Sequence, residues 1–140
     1  MKRLLLPFAL LLSLWGVVPL KAQPAIVGPP NAVQCNQLAS LAVGSTGLTQ
    51  IVAAVAGQRV FICGWHVTNT GATGTFLFAN GTGSNCGTNT VTQIPALNVT
   101  STAPSADHQT FASFQTPIGA AFCVNPSVNT IAVVIYYAQF

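Results

Sequence analysis

The chain has 140 residues, of which four are basic and one is acidic, so only 4% of its side chains are charged against roughly 25% in ordinary globular domains. Three of the basic residues lie at positions 2, 3 and 21, which leaves Arg59, Asp107 and no net formal charge in the rest of the chain. This composition provides no basic patch for phosphates, which excludes nucleic acid as a partner.

The amino terminus has the pattern of a secretion signal. Lys2 and Arg3 form a positive n-region, and residues 4–18 form an apolar run that ends before a small-residue cleavage site. This run of about 15 residues is shorter than the roughly 20 that a spanning helix needs, so the pattern favours a cleaved leader over a membrane anchor. We expect residues 1–22 to be removed after Ala22. The product would be secreted or held at the cell surface, or retained in the periplasm, without a remaining membrane span.

Four cysteines follow this leader: Cys35, Cys63, Cys86 and Cys123. An even number in an exported chain of this size indicates two disulfides, and three connectivities exist. The spacing contains no CxxC pair, which argues against a zinc or redox site. Cys63 and Cys123 lie in apolar, strand-like runs, whereas Cys35 and Cys86 lie in Asn- and Gly-rich segments. Pairing cysteines of similar surroundings predicts Cys63–Cys123 and Cys35–Cys86.

The chain from residue 35 onward predicts an all-β fold. Short runs of β-branched and aromatic residues alternate with Gly, Asn, Pro and Ser clusters at intervals of about 8–14 residues, the pattern of a sandwich. We expect a Pro-rich lead-in at 23–34 and then one disulfide-stapled β-sandwich or jelly-roll-like domain at 35–140, with about seven or eight strands. The strands are predicted near 38–44, 48–56, 59–68, 74–80, 90–94 with 97–101, 110–115, 120–124 and 129–139.

Three of these runs carry further predictions. In RVFICGWHV, strict alternation puts Phe61, Cys63, Trp65 and Val67 on one face and Val60, Ile62, Gly64 and His66 on the other. Pro95 interrupts its run, which favours an edge strand or a bulge. The last run, NTIAVVIYYAQF, is apolar on both faces, which is typical of a central strand buried on both sides. The alternative is that one face is an interface, which makes Tyr136 and Phe140 candidate contact residues.

The chain offers few groups for catalysis. Asp107 could act only with His66 or His108, and Asp107 and His108 are sequence neighbours, a poor way to present a carboxylate to an imidazole. The loop GTGSNCGT at 81–88 lacks the Lys and the following helix of a phosphate-binding loop, so we expect a disulfide-pinned surface loop. We predict no enzymatic activity, no metal and no cofactor.

Carbohydrate is the small ligand that these residues fit best. Secreted β-sandwiches that bind sugars stack the sugar ring on an exposed aromatic side chain, and Trp65 beside His66, together with the Tyr136–Tyr137 pair, could supply one. A core of this size needs most of its aromatic residues to fill itself, however, so a buried Trp65 is the favoured interpretation.

The combination of TQIVAAV, RVFICGW, GTGSNCGT, AFCVN and YYAQF resembles a group of small Cys- and Gly/Thr-rich β-proteins seen in bacteriophage and environmental bacterial sequences. The resemblance covers most of residues 48–140 and rests on Cys63, Cys86 and Cys123, the GTGxNCGT loop and the closing YAQF. It implies a virion-associated or cell-surface structural role, and for this member the secretion signal favours the cell surface.

These features together predict an exported, non-enzymatic structural protein. It would act as a surface, matrix, fibre or virion-associated component through protein–protein contacts, with a second copy or a surface protein as its partner. The alternative function is a secreted carbohydrate- or receptor-binding module. The candidate interaction residues for either function are Trp65, His66, Tyr136 and Phe140.

Overall fold

The computed structural model describes residues 32–71, 73–108 and 112–140, so the predicted leader at 1–22 and most of the predicted lead-in lie outside the described residues. Over these residues the chain forms nine strands and one 3-10 turn at Ser84–Cys86. The strands are β1 Gln37–Val43, β2 Thr49–Val52, β3 Val60–Asn69, β4 Gly74–Thr82, β5 Thr88–Val99, β6 Ser105–His108, β7 Phe114–Gln115, β8 Ala121–Pro126 and β9 Ile131–Gln139. The predicted all-β fold is confirmed.

The strands form two antiparallel sheets. The first sheet has the order β1–β9–β3–β6, with β7 also paired to β3, and the second sheet has the order β2–β8–β4–β5. Each of the first four strands pairs with one or more of the last five: β1 with β9, β2 with β8, β3 with β6 and β7, and β4 with β5. The chain is thus a long hairpin wrapped into two facing sheets, which is the jelly-roll arrangement of a β-sandwich.

The hydrophobic core fills the space between the two sheets, because alternate side chains of each strand point inward. Its largest fully buried side chains are Phe76, Phe78 and Phe122 of the second sheet and Ile62, Ile131 and Ile135 of the first. The rings of Phe78 and Phe122 stack with their centroids 5.2 Å apart.

A β-bulge at Cys63 changes which residues of β3 face this core. Ile62 pairs with Tyr137 and Gly64 pairs with Tyr136, so Cys63 is an extra residue on β3. The bulge shifts the alternation by one residue. Val60 and Ile62 therefore enter the core together with Trp65 and Val67, and the faces predicted by strict alternation are wrong.

The disulfides join Cys35 to Cys63 and Cys86 to Cys123, so the predicted pairs Cys63–Cys123 and Cys35–Cys86 are wrong. Cys123 alternates with core residues such as Phe122, and it packs in a small separate cluster with Cys86 on the outer side of the second sheet. Cys63 belongs to the other sheet and lies outside the core cluster. The core therefore separates Cys63 from Cys123, although both lie in apolar strands.

The remaining strand predictions differ from the structure mainly in the strands at the edges of the sheets. Pro95 lies in β5, an edge strand, at a register shift between the pairs Phe76–Leu97 and Phe78–Ile94, as its interruption of the run predicted. The two short strands expected there form one continuous strand. The strand β6 was not predicted, because its sequence SADH lacks β-branched and aromatic residues.

The strand β9 has the central position that its apolar sequence predicted, between β1 and β3. Only one of its faces is fully buried. Ile131, Val133 and Ile135 point into the core, whereas Ala132 is exposed and Val134 and Tyr136 are half-buried on the opposite face.

Mass spectrometry of a non-reduced digest should recover peptides that join Cys35 to Cys63 and Cys86 to Cys123. Replacing both cysteines of either pair by Ala should lower the free energy of unfolding by about 3–4 kcal/mol, because each bridge closes a long loop of the unfolded chain. Urea unfolding of the two double variants measures this loss, with the reduced wild-type protein as control. A peptide joining Cys63 to Cys123 would contradict the structure.

Candidate functional site

The outer face of the first sheet points away from the second sheet. Within the described strands of this sheet there is no Lys, Arg or Glu, and Asp107 lies opposite the inward-facing Trp65. The strand register aligns its side chains in three rows: Leu38–Tyr136–Gly64, Ser40–Val134–His66–Ala106 and Ala42–Ala132–Thr68. We call these residues the neutral face. Six of these ten residues are Gly, Ala, Ser or Thr.

Aromatic side chains extend one end of the neutral face. Phe61 alternates with the core residues Val60 and Ile62 and therefore lies on the outer side of β3. The ring of Phe140 stacks on the ring of Phe61 with their centroids 4.7 Å apart, yet 61% of Phe140 stays exposed. The backbone holds Phe140 in place, because Arg59 N donates to Phe140 O at 2.9 Å.

The segment before β1 crosses the same end of the sheet. Ala112 N, just before β7, donates to Val33 O at 3.0 Å, whereas β1 begins at Gln37 on the far side of β9. Residues 33–36 must therefore pass over β3 and β9, and they do so on the outer side because the core fills the inner side. The Cys35–Cys63 disulfide fastens this crossing at the bulge.

The structure places Trp65 in the core, so its choice as a contact residue is wrong and the favoured prediction of a buried Trp65 is confirmed. Only 8% of Trp65 is exposed. Its ring packs edge-on against Phe78 at 5.6 Å and lies 6.5 Å from the ring of Phe114. The indole Nε1–H has no acceptor among the described residues. Tyr137 also packs against the core.

The other three candidates lie on the outer side of the first sheet. His66 is exposed opposite Val134, and Tyr136 is half-buried opposite Leu38. Phe140 lies at the aromatic end. Sequence analysis missed Leu38, of which 57% is exposed, because only the pairing of β1 with β9 shows that it lies beside Tyr136.

The titratable side chains do not form a catalytic pair with His66. In the register of β3 with β6, Asp107 lies opposite Trp65, and Ala106, the residue before Asp107, lies opposite His66. Because cross-strand partners share a face and successive residues alternate, Asp107 and His66 point to opposite sides of the sheet. Among the described residues, no group of three or more His, Cys, Asp or Glu side chains is close enough to hold a metal ion.

The loop GTGSNCGT folds back onto the second sheet as the predicted disulfide-pinned surface loop. Cys86 bonds to Cys123 of β8, and Asn85 Oδ1 accepts a hydrogen bond from Gln50 N of β2 at 3.3 Å. The loop packs so closely on β4 that a Cβ atom on Gly81 would lie 2.7 Å from Cys86 O. The loop thus covers the sheet through its own backbone and disulfide.

No protein-family model, curated protein or solved structure matches this chain. Its two disulfides are compatible with an extracellular or otherwise oxidising environment. No helix within the described part of the chain is long and apolar enough to cross a membrane.

Gly81→Ala should destabilise the protein by about 1–3 kcal/mol, because the new methyl group would collide with the backbone of a loop that a disulfide holds in place. Gly44→Ala is the matched control, since a Cβ atom there meets nothing within 4 Å, and it should change the stability by less than about 0.5 kcal/mol. Thermal and urea unfolding measure both effects. Equal stability of the two variants would contradict the packing of this loop.

Trp65→Ala should lower the free energy of unfolding by about 3–5 kcal/mol, as expected for a large core side chain. Because the only other Trp of the chain lies at position 15, within the predicted leader, fluorescence of the processed protein reports Trp65 alone. We expect a blue-shifted emission, little quenching by iodide and no change on addition of sugars. Strong quenching in the folded protein would place Trp65 at the surface instead.

Proposed function

We propose that this protein is an exported, non-enzymatic structural or surface protein that acts through protein–protein contacts on its neutral face. The observation that carries the proposal is a sheet face whose defined residues include no Lys, Arg, Asp or Glu. Leu38, Val134 and Tyr136 are exposed or half-exposed on this face, and Phe140 lies at its end.

The shape of the neutral face favours a protein surface as its partner. Small ligands bind in concave pockets that cover most of their surface. Ser40, Ala42 and Ala132 present small side chains on this face, which lets another protein surface approach the sheet closely. Exposed apolar area of this kind marks an interaction site more often than an inert surface.

The scarcity of charge also favours association. Past the predicted leader, the chain has one basic and one acidic residue, so two copies meet without net repulsion. Few charged side chains need to lose their hydration when the neutral face is covered. We therefore expect an association that depends on apolar burial and changes little with salt.

A structural role is also consistent with the chemistry of the chain. The only Asp and the exposed His66 lie on opposite sides of the first sheet, which argues against acid–base work by this pair. The predicted leader and the two disulfides support a location outside the cytoplasm, at the cell surface, in a matrix or fibre, or on a virion.

Binding of carbohydrate is less well supported than protein contact. Its best stacking platform, Trp65, is buried, and one face of the Phe140 ring is already covered by Phe61. Tyr136 remains as the half-exposed aromatic side chain at the centre of the neutral face.

Tyr136→Lys should leave the domain folded and weaken its association by about tenfold or more, because a charge would then lie within the neutral face. Val91→Lys is the matched control, since Val91 is 52% exposed on β5 of the other sheet, and it should associate like the wild type. Circular dichroism tests folding, and size-exclusion chromatography with light scattering measures association.

A folded Tyr136→Lys variant that associates as strongly as the wild type would refute the role of the neutral face. Glycan-array binding by a monomeric wild-type protein, lost in the same variant, would replace the proposal with the carbohydrate-binding function.

A further inference from the structure

Three of the four edges formed by the described strands are blunted against pairing with another strand. An edge strand presents unpaired backbone N–H and C=O groups, and proteins protect such edges with charges, proline, bulges or short strands. The strand β5 has Pro95 and three register shifts against β4. The strand β2 has four residues and a register shift, and β6 and β7 are short and separate.

The fourth edge, β1, has none of these protections. Its seven residues, QLASLAV, include no Pro, Gly or charged residue. They pair with β9 in unbroken register from Gln37–Tyr137 to Val43–Ile131. Within the described part of the chain, no hydrogen bond outside the sheet ladders involves the backbone of β1. Its outward edge is therefore a straight, uncharged template for another strand.

We propose that β1 pairs edge to edge with β1 of a second copy, antiparallel about a two-fold axis at Ser40. This register pairs all seven residues, with Gln37 facing the partner's Val43 at each end, and between these ends it matches leucine with alanine. Leu38 faces the partner's Ala42, and Leu41 faces the partner's Ala39. Ser40 faces the partner's Ser40, so identical side chains meet only where both are small.

The sequence of β1 favours a second copy as the occupant over an unrelated strand. Antiparallel pairing of two identical strands requires the sequence to be complementary to its own reverse, and the order Leu38, Ala39, Ser40, Leu41, Ala42 meets this condition. Neither copy brings a charge to the contact, so the pairing suffers no like-charge repulsion. The joined sheet would run β6–β3–β9–β1 and continue through the same strands of the second copy.

Edge pairing would also extend the surface that we propose for protein contacts. Leu38, Ser40 and Ala42 of β1 belong to the neutral face, and they lie on the same side in both copies. Two neutral faces would then form one continuous surface. The inference thus rests on the proposed role in assembly, but it uses the backbone edge of β1 and not the face itself.

Two charge variants at Ser40 test this pairing. Ser40 is exposed, so Ser40→Lys and Ser40→Glu should both fold. Each variant alone would place two like charges opposite each other at the two-fold axis, and its dimerisation should weaken by about tenfold or more. An equimolar mixture of the two variants should regain the association, because Lys then faces Glu. Thr92→Lys, at an exposed position on β5, is the control and should associate like the wild type.

Hydrogen exchange separates edge pairing from contacts through the face. In the wild-type protein, amides of β1 should exchange more slowly as the protein concentration rises, and Ser40→Lys should lose this protection. Protection of β1 that is independent of concentration, or a mixture that stays as monomeric as its components, would overturn the inference. Because Ser40 also belongs to the neutral face, the separate evidence for edge pairing is recovery in the mixture of Ser40→Lys with Ser40→Glu and β1 protection that persists in Tyr136→Lys. The association of Tyr136→Lys tests the neutral face, so either proposal can fail while the other stands.

Discussion

The β-bulge at Cys63 is the constraint on which the arrangement of β3 depends. Without the extra residue, alternation would bring Trp65 to the outer side of the sheet and His66 into the core. With it, the large indole fills the space beside Phe78 and the imidazole remains exposed. The same bulge holds Cys63 outside the core, where it bonds to Cys35 and fastens the crossing segment. One inserted residue therefore determines the core, a disulfide and the neutral face together.

Past the predicted leader, the sequence contains only one basic residue, Arg59, and one acidic residue, Asp107, so ion pairs can contribute little to the fold. Hydrogen bonds between uncharged groups join segments that are distant in the sequence. The buried Thr116 accepts a hydrogen bond from Val60 N at 3.1 Å, and the buried Asn69 donates one through Nδ2 to Val99 O at 3.4 Å. The second sheet protects its edge strand β5 with bulges and Pro95, where many proteins would use lysines. Scarce charge thus shapes both the interior and the edges.

The sequence was sufficient to predict the fold class and most strands, because β-branched runs and Gly-rich turns are local signals. It also predicted the edge position of Pro95. It could not predict the disulfide pairing, since Cys63 and Cys123 have similar neighbours and only the sheet assignment separates them. The bulge was missed for the same reason, because it is defined by the partners of β3 on β9. Trp65 is buried, as the favoured interpretation of the sequence predicted, whereas His66, Tyr136 and Phe140 lie on the outer side of the sheet.

The position of β9 explains how an apolar strand can serve both folding and the contacts that we propose. Both edges of β9 are paired within the sheet. Despite its apolar sequence, β9 therefore cannot pair with a strand of another molecule. Its inner side chains fill the core, while Val134 and Tyr136 give the outer side its apolar character. The jelly-roll order places the neighbouring β1 at the edge of the sheet. One edge of β1 therefore has no partner strand within the described sheet, whereas both edges of β9 are paired. The edge pairing that we propose would therefore follow from topology, because the most apolar strand, β9, is enclosed and the less apolar, self-complementary strand β1 lies at the edge.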